Sequence, residues 1–416
     1  MHVPPFTLEK QLSEIGPELD SAVLRVLHSG HYIGGCEIKD FEESFSELLG
    51  LRNVVGCNSG TDALILALRA IGIGPGDEVI TPSFSFFATA EAISNVGAQP
   101  IFVDIEESSF LIDINEIEKA ITSKTKAILP VHLFGCPVDM DKLMNLARKY
   151  ELKVIEDCAQ AVGAKWNNKP VGSWGDIGCF SFFPTKNLGA AGDAGAVSTN
   201  NNELAQKIRE LAIHGMPKRY FHTNLGYNSR LDALQAAILN VKLPRLAEWV
   251  EKRNKVALTY QYFLKELTFL EIPSYTFESG IIHGWNQFVV KVKNFSEYEL
   301  GTSEEINNKL TNKIKELPKS FSRDWLKKNL EELGVKTIIY YPIPIHLQPA
   351  YKNLPSYKAT LPITEKICNQ VLSLPIFPEI TIEQQEYVVQ SIKKIFSGLK
   401  IQELASSMPS SNGLSV

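Results

Sequence analysis

The chain has 416 residues, of which 44% are hydrophobic and 21% charged, a length and balance typical of a soluble globular protein with two domains. The formal net charge of −5 gives no sign of the basic surface that nucleic-acid binding requires. No run of about 18 apolar residues and no apolar signal core are found, so we expect a cytoplasmic protein without a membrane span.

The N-terminal region combines an amphipathic helix with a strand and a glycine turn. Apolar residues at helical spacing predict a helix over 16–29, and 53–57 is typical of a strand. The strand leads into Asn-Ser-Gly-Thr-Asp at 58–62, and a helical pattern follows. This order of elements presents free backbone N–H groups to a phosphate. The alternative is that Ser59 or Thr61 is only a helix N-cap.

The next hundred residues alternate between strands and helices. This alternation predicts an α/β fold with a mostly parallel sheet that is covered on both faces. Ligands of such sheets bind beyond the carboxyl ends of the strands. The predicted strands are 78–81, 100–104, 127–131 and 153–156, and the predicted helices are 85–96, 114–121 and 140–150.

A carboxylate follows the last of these strands. Asp157 comes directly after 153–156 and before the small-residue stretch Cys-Ala-Gln-Ala-Val-Gly-Ala. At the carboxyl end of a strand, Asp157 is well placed to contact a ligand. The alternative is that its side chain only caps the next turn.

The stretch 178–195, GCFSFFPTKNLGAAGDAG, places one lysine among small residues. Its apolar start predicts a buried strand, which Pro184 ends because proline cannot donate to a sheet. Glycine and alanine then allow a bound molecule to approach Lys186 closely. An apolar pocket favours the neutral, nucleophilic amine, so we expect Lys186 to form a Schiff base. The alternative is a lysine that faces solvent on a loop.

The C-terminal part has shorter strands and more charged helices. Two long helices, 226–240 and 245–267, connect it to the first domain. Beyond them we expect an edge-like strand over 286–292, a polar excursion over 294–324 and a strand over 337–341. Helices are predicted over 324–333, 364–371 and 382–396. These features predict a large α/β domain over 1–245, a smaller α+β domain over 246–400 and a disordered tail over 401–416.

The cysteines give no sign of a metal site. None has a partner at CxxC spacing, and none is near a histidine at zinc-ligand spacing. Apolar neighbours predict buried, free thiols in a reducing compartment. The six are Cys36, Cys57, Cys136, Cys158, Cys179 and Cys368.

Taken together, these residues form the set that pyridoxal 5′-phosphate requires. The cofactor needs a lysine for its aldehyde and a carboxylate that keeps its pyridine nitrogen protonated. It also needs hydroxyl and N–H groups for its phosphate and an aromatic ring against one face. The candidates are Lys186, Asp157, Thr61 with Gly60, and Phe86.

Eight motifs resemble those of the DegT family of sugar aminotransferases, in the fold-type I group of pyridoxal-phosphate enzymes. The resemblance covers about 15–395. One departure is Gly-Asp-Ala-Gly at 192–195, where the family usually has Gly-Asp-Gly-Gly, and another is the long polar stretch 294–324. The motifs are NSGTDAL at 58–64, GDEV at 76–79, PSFSF at 82–86, PVHLFG at 130–135, EDCAQA at 156–161, FSFFPTKN at 180–187, NSRLD at 228–232 and YPIPIHLQ at 341–348.

The resemblance implies a role for each matching residue. Lys186 would be the Schiff-base lysine and proton shuttle, and Asp157 would pair with the pyridinium nitrogen. In this family an asparagine of the second subunit reaches the phosphate, so a homodimer with shared active sites is implied. The implied cofactor contacts are Gln160 at the phenolic oxygen, Phe86 at the stacking position, Gly60, Thr61, Asp62 and Ser181 at the phosphate, and Asn228 from the second subunit.

The resemblance also implies the substrates. L-glutamate would donate the amino group to a nucleotide-linked keto-sugar, and the lysine favours transamination over the dehydration of members with histidine there. The stretch 341–351 resembles members that aminate C3 of a dTDP-linked 3-keto-6-deoxyhexose. Candidate substrate contacts are Arg219, Tyr220, His222, Tyr341 and His346, with a solvated basic loop and a structural histidine as the alternative.

Three other functions remain open at this point. One is a C4 aminotransferase that acts on a UDP- or GDP-linked keto-sugar. Another is a desulfurase, although no cysteine lies in an obviously exposed Gly/Ser-rich loop. The third is a non-catalytic regulator that retains the fold.

Overall fold

A seven-stranded sheet forms the centre of the larger part of the fold. The computed structural model describes residues 1–273, 280–293, 295–296, 320–354 and 359–397. The sheet contains β1 (Asn53–Cys57), β2 (Glu78–Pro82), β3 (Gln99–Val103), β4 (Thr125–Ile128), β5 (Lys153–Asp157), β8 (Ile177–Ser181) and β9 (Gly195–Thr199), and two short strands, β6 (Lys165–Trp166) and β7 (Lys169–Pro170), form a separate pair.

The sheet is mostly parallel, as predicted. Its strand order is β1-β9-β8-β5-β4-β2-β3. All neighbours from β8 to β3 pair in parallel, whereas β9 is antiparallel to both β8 and β1. β9 was not predicted from the sequence. The predicted α/β, fold-type I class is confirmed by this sheet and by the solved structures described below.

Helices surround the sheet and bury its apolar side chains. The strands are buried along most of their length, which explains why their sequences are nearly continuous apolar runs. In chain order the helices are α1 (Glu9–Ser29), α2 (Cys36–Leu49), α3 (Gly60–Ala70), α4 (Ala88–Asn95), α5 (Ile114–Ala120), α6 (Met140–Lys149), α7 (Asn202–Ala212), α8 (Ala233–Lys242), α9 (Leu246–Leu264), α10 (Arg323–Glu332), α11 (Pro362–Cys368) and α12 (Ile382–Ser397).

A second, antiparallel sheet lies in the C-terminal part. It consists of β10 (Leu270–Glu271), β11 (Phe288–Val292) and β14 (Val371–Leu374), with β11 in the middle. The strand predicted over 286–292 is therefore present as β11, but its predicted position at the edge of a sheet is wrong. The partner strand β14 occupies the end of the predicted helix 364–371, which stops at Cys368 instead.

Other predicted elements also differ from the structure. The segment 337–341 forms only one isolated bridge, between Ile338 and Ser373, rather than a strand. The helix predicted over 85–96 begins at Ala88, because the residues before it form a turn. Cys36 is exposed, contrary to the prediction of buried thiols, whereas the other five cysteines are buried.

Two predicted segments lie largely or wholly outside the described residues. Most of the polar excursion 294–324 is outside, although its two ends pair as β12 (Phe295–Ser296) and β13 (Ser320–Phe321). The tail 401–416 lies entirely outside. The domain boundary at 245 stays a prediction. Within the described ranges, no helix is long and apolar enough to cross a membrane.

Candidate active site

The carboxyl ends of β1, β5 and β8 meet at one edge of the large sheet. β5 and β8 are parallel, and β1 runs in the same direction because both β1 and β8 are antiparallel to β9. This geometry brings the turn before α3, the carboxylate of Asp157 and the loop that carries Lys186 to the same edge. The site is therefore built from three separate parts of the sequence.

The first turn of α3 is packed directly against the end of β8. Ser59 is the N-cap, and its Oγ accepts a hydrogen bond from Asp62 N at 3.1 Å. A Cβ added to Gly60 would lie 2.6 Å from the Cβ of Ser181, so only glycine fits there without a shift. Thr61 and Asp62 are half-buried beside it. The turn brings a helix N-terminus and the Ser181 hydroxyl together, an arrangement that suits a phosphate.

Lys186 lies on the loop that follows β8. Its backbone N donates to Phe183 O at 2.8 Å, which closes a tight turn after the strand. The residue as a whole is half-buried, and burial of its amino group lowers its pKa to about 8. The carboxylate of Asp157 opposes this shift by favouring the charged amine. A substantial fraction of this amine is therefore neutral just above neutral pH.

Asp157 is the buried carboxylate at the end of β5. Burial raises its pKa, whereas hydrogen bonds from Ala159 N and Thr89 and the charge of Lys186 act in the opposite direction. Ala159 N donates to Oδ1 at 3.1 Å, and the hydroxyl of Thr89 donates to Oδ2 at 2.9 Å. Each oxygen thus accepts one hydrogen bond here and retains a lone pair for a further donor.

Gln160 connects the turn after β4 to the aromatic side of the site. Its Oε1 accepts a hydrogen bond from Phe134 N at 2.7 Å, and its Nε2 donates to the hydroxyl of Tyr341 at 2.8 Å. The ring of Phe86 lies 6.2 Å from that of Tyr341, and 57% of the residue is exposed. Phe86 therefore offers an open aromatic face beside a fixed amide.

A buried group behind Asp157 has the composition of a metal site. Ligand atoms of His132, Glu156 and Cys158 all lie within 4.8 Å of one another. However, Glu156 accepts hydrogen bonds from His132 Nε2 and from three backbone N–H groups, those of Gly172, Trp174 and Gly175. His132 Nδ1 accepts from a backbone N–H as well. Since these bonds already use the carboxylate and the imidazole, the group acts as a structural support for β5.

The basic loop 214–225 is exposed except at Gly215 and Met216. Tyr220 has 80% of its surface exposed, and the guanidinium of Arg219 lies 5.0 Å from its ring. The Nδ1 atom of His222 lies 2.9 Å from the carbonyl oxygen of His214. Asn228 follows on the same segment, and it too is exposed. These side chains are thus open to solvent or to another molecule.

His346 fits the alternative of a structural histidine better than that of a substrate contact. It is 0% exposed, and its Nδ1 lies 2.7 Å from the hydroxyl of Ser83. Its ring also packs near Phe102. With no surface open to solvent, His346 holds two chain segments together, and this burial argues against the predicted direct contact with substrate.

The fold and this site define a pyridoxal-phosphate-dependent aminotransferase. The site fits the cofactor because it combines a desolvated amine, a buried carboxylate and a helix N-terminus at one sheet edge. The sequence profile of the DegT/DnrJ/EryC1/StrS aminotransferase family matches residues 13–314 and 295–393. The chain belongs to this family. The family, the enzyme class and the cofactor are therefore as predicted.

Several characterised proteins are similar over nearly the whole chain. A pleiotropic regulatory protein of Geobacillus stearothermophilus is 42% identical, over 95% of this chain and 99% of its own length. A UDP-N-acetyl-3-dehydro-alpha-D-glucosamine 3-aminotransferase of Acidithiobacillus ferrooxidans is also 42% identical, over 95% and 98%. A dTDP-3-amino-3,6-dideoxy-alpha-D-galactopyranose transaminase of Aneurinibacillus thermoaerophilus is 42% identical, over 91% and 95%.

Solved structures agree with this assignment. Streptomyces venezuelae DesV has a TM-score of 0.85 and 38% identity, over 95% of this chain and 98% of its own. Bacillus subtilis NtdA, solved with bound pyridoxamine phosphate, has a TM-score of 0.82 and 34% identity, over 95% and 85%. A sugar aminotransferase fold with its cofactor chemistry is thus shown, and the particular sugar is a separate question.

Proposed function

We propose that this protein transfers an amino group from L-glutamate to C3 of a dTDP-linked 3-keto-6-deoxyhexose, giving a dTDP-3-amino-3,6-dideoxyhexose. The observation that carries the transfer chemistry is the amine of Lys186, desolvated and within the field of Asp157. Two similar proteins support amination at C3, because both are named for a position-3 amino group. They differ in the nucleotide. The resemblance of residues 341–351 to members that aminate a dTDP-linked sugar favours dTDP.

The cofactor, when bound, supplies an aldehyde that carries the amino group and a ring that accepts electrons from the reacting carbon. In the proposal, Lys186 would bind the aldehyde and later move a proton to or from the reacting carbon, because its amine is partly neutral near pH 8. Asp157 would hold a proton on the pyridine nitrogen, Gln160 would contact the phenolic oxygen and Phe86 would cover one ring face. Glutamate would leave as 2-oxoglutarate, whose keto oxygen comes from water, and the sugar ketone oxygen would leave as water.

The phosphate is assigned to the N-terminus of α3. Gly60, Thr61 and Asp62 form its first turn, and Ser181 is packed against Gly60. Asn228 of a second copy completes the phosphate site. The substrate diphosphate and sugar are assigned to Arg219, Tyr220, His222 and Tyr341, which are the candidate contacts not enclosed in the protein interior.

The test of the substrate is product analysis. The protein is incubated with L-glutamate and, separately, with dTDP-linked 3-keto, UDP-linked 3-keto and UDP- or GDP-linked 4-keto sugars. We expect the dTDP-linked 3-keto arm to gain an amine at C3, located by NMR and mass spectrometry, with 2-oxoglutarate released in equal amount. Amination only at C4 would contradict the C3 assignment, and faster turnover of the UDP sugar would contradict the nucleotide. Lys186→Ala is the inactive control.

The proposed shared site predicts complementation between two inactive variants. Exposed apolar side chains near Asn228, including Leu225 at 88% exposure, suit an interface with a second copy. If Lys186 and Asn228 of one site come from different chains, mixed dimers of Lys186→Ala and Asn228→Ala contain one intact site each. An equal mixture that exchanges subunits should recover about a quarter of the wild-type sites, since half of the dimers are mixed. No recovery after verified exchange would contradict a shared site.

A regulatory function is the second candidate, because a similar protein of Geobacillus stearothermophilus is named a pleiotropic regulatory protein. A regulator without catalysis would not need the amine of Lys186. Measured turnover that disappears in Lys186→Ala favours the enzyme. Cofactor binding without turnover on any of the sugars would favour the regulator.

A further inference from the structure

Three buried side chains form a short hydrogen-bonded chain that ends on Asp157. The Oγ of Ser85, in the turn before α4, lies 2.7 Å from the Oγ1 of Thr89 in the first turn of that helix. The Oγ1 of Thr89 lies 2.9 Å from Oδ2 of Asp157. Thr89 is only 1% exposed, and the other two side chains are also buried. These buried side chains shield one side of the carboxylate from solvent.

The directions of these hydrogen bonds follow from the number of hydrogens. An ionised carboxylate only accepts, so Thr89 must donate its single hydroxyl hydrogen to Asp157. Thr89 therefore has no hydrogen left for Ser85, and Ser85 must donate to Thr89. A helical threonine commonly bonds the backbone carbonyl four residues before it. Here the side chain of the residue four positions earlier, Ser85, supports a hydroxyl that is turned towards Asp157.

The arrangement fixes both the orientation and the charge of the carboxylate. Ala159 N holds Oδ1 and Thr89 holds Oδ2, so the carboxylate plane cannot rotate without breaking a buried hydrogen bond. Hydrogen bonds from neutral donors stabilise a buried negative charge, and a donor that is itself polarised by a second hydroxyl is a stronger one. Ser85 lies within the motif at 82–86, but nothing in the sequence links its hydroxyl or that of Thr89 to Asp157.

We propose that Thr89, with Ser85 behind it, is a positioning residue that keeps Asp157 ionised and aimed at the pyridine nitrogen of the bound cofactor. This inference rests on the role proposed for Asp157. Thr89 acts through Asp157 and touches neither the substrate nor the reacting atoms. Its hydroxyl, rather than its size, is the part that matters.

The test uses the holoenzyme loaded with cofactor that carries ¹⁵N at the ring nitrogen. The ¹⁵N chemical shift reports the pH at which this nitrogen loses its proton. Thr89→Val keeps the side-chain shape and removes the hydroxyl, Thr89→Ser keeps the hydroxyl, and Ser85→Ala removes the supporting donor. The other titratable groups that interact with Asp157 are unchanged in all three variants; they are Lys186, His132, Cys158, Cys179 and Tyr341.

We expect Thr89→Val to lower this titration midpoint by about one pH unit, because Asp157 loses one hydrogen bond to its charged form. The proton affinity of the ring nitrogen then falls about tenfold. Ser85→Ala should give a smaller shift in the same direction, and Thr89→Ser should match the wild type. Thermal unfolding of each variant separates a change at the site from a loss of folding. Asp157→Asn is measured in the same way. If Asp157→Asn shifts the midpoint strongly but Thr89→Val keeps the wild-type midpoint, the proposal for Thr89 is overturned. If Asp157→Asn also leaves the midpoint unchanged, the role proposed for Asp157 fails, and the role of Thr89 with it.

Discussion

The pKa of Lys186 predicts how fast the cofactor-free protein binds pyridoxal phosphate at each pH. Burial lowers this pKa from 10.5 to about 8. At pH 7 about one amine in ten is then neutral, whereas for an ordinary lysine the neutral fraction is about 300-fold smaller. Only the neutral amine attacks an aldehyde. We therefore expect the rate of covalent binding to rise with pH to a midpoint near 8.

Stopped-flow absorbance of the lysine-bound cofactor measures this rate. The reaction of pyridoxal phosphate with an N-acetylated lysine amide, over the same pH series, corrects for titration of the cofactor itself. Lys186→Ala should show no slow increase in absorbance. Asp157→Asn removes the negative charge that favours the protonated amine, so its midpoint should fall below that of the wild type.

Two results would refute this reasoning. A midpoint close to that of the free lysine amide would mean that the pocket does not desolvate the amine. A midpoint in Asp157→Asn equal to or above that of the wild type would mean that the carboxylate does not act on Lys186. Either result is independent of which sugar the protein uses.

Three further predictions concern the support of the site. Lys242 is 3% exposed, and burial lowers its pKa from 10.5 to about 8. Between these pH values the unfolded chain binds more protons than the folded one, so the free energy of unfolding rises with pH by up to about 3 kcal/mol. Urea unfolding of Lys242→Met should not show this rise. Gly60→Ala should weaken cofactor affinity roughly tenfold in a fluorescence titration by overpacking, whereas Gly16→Ala, whose Cβ meets nothing within 4 Å, should not. Glu156→Gln should destabilise the fold by about 3 kcal/mol in denaturant unfolding, whereas Glu116→Gln at an exposed ion pair should change it by less than about 1 kcal/mol.

The sequence predicts the strands of the large sheet better than those of the small one. β1 has the predicted bounds of 53–57 because its apolar run ends at a glycine turn. β9, Gly-Ala-Val-Ser-Thr, has too few large apolar side chains to stand out, and it is a strand because it lies between β8 and β1. In the small sheet, the central position of β11 depends on β14, whose sequence follows a helix so closely that the two merge into one pattern.

The catalytic candidates could be predicted because each lies at a recognisable local signal. Lys186 follows a buried strand and precedes small residues, and Asp157 ends a strand. Thr89 and Ser85 carry no signal for such a role, because a hydroxyl among small and apolar residues is ordinary in sequence. Their role depends on contact with a residue 68 positions away. The sequence left open whether His346 contacts substrate or is a structural histidine for the same reason, since Ser83 is 263 positions away from it.

The choice of neutral donors around Asp157 is consistent with the chemistry that its position requires. An arginine beside Asp157 would also keep the carboxylate ionised, but the ion pair would consume the negative charge that must attract a protonated ring nitrogen. The imidazole of His132 already has other partners, because its Nδ1 accepts a backbone hydrogen bond while its Nε2 donates to Glu156. The charges of Lys186 and His132 both lower the pKa of Asp157, and Lys186 loses its charge when its amine becomes a nucleophile. Hydroxyl and backbone N–H donors thus allow one buried pocket to hold a carboxylate and a neutral lysine at the same pH.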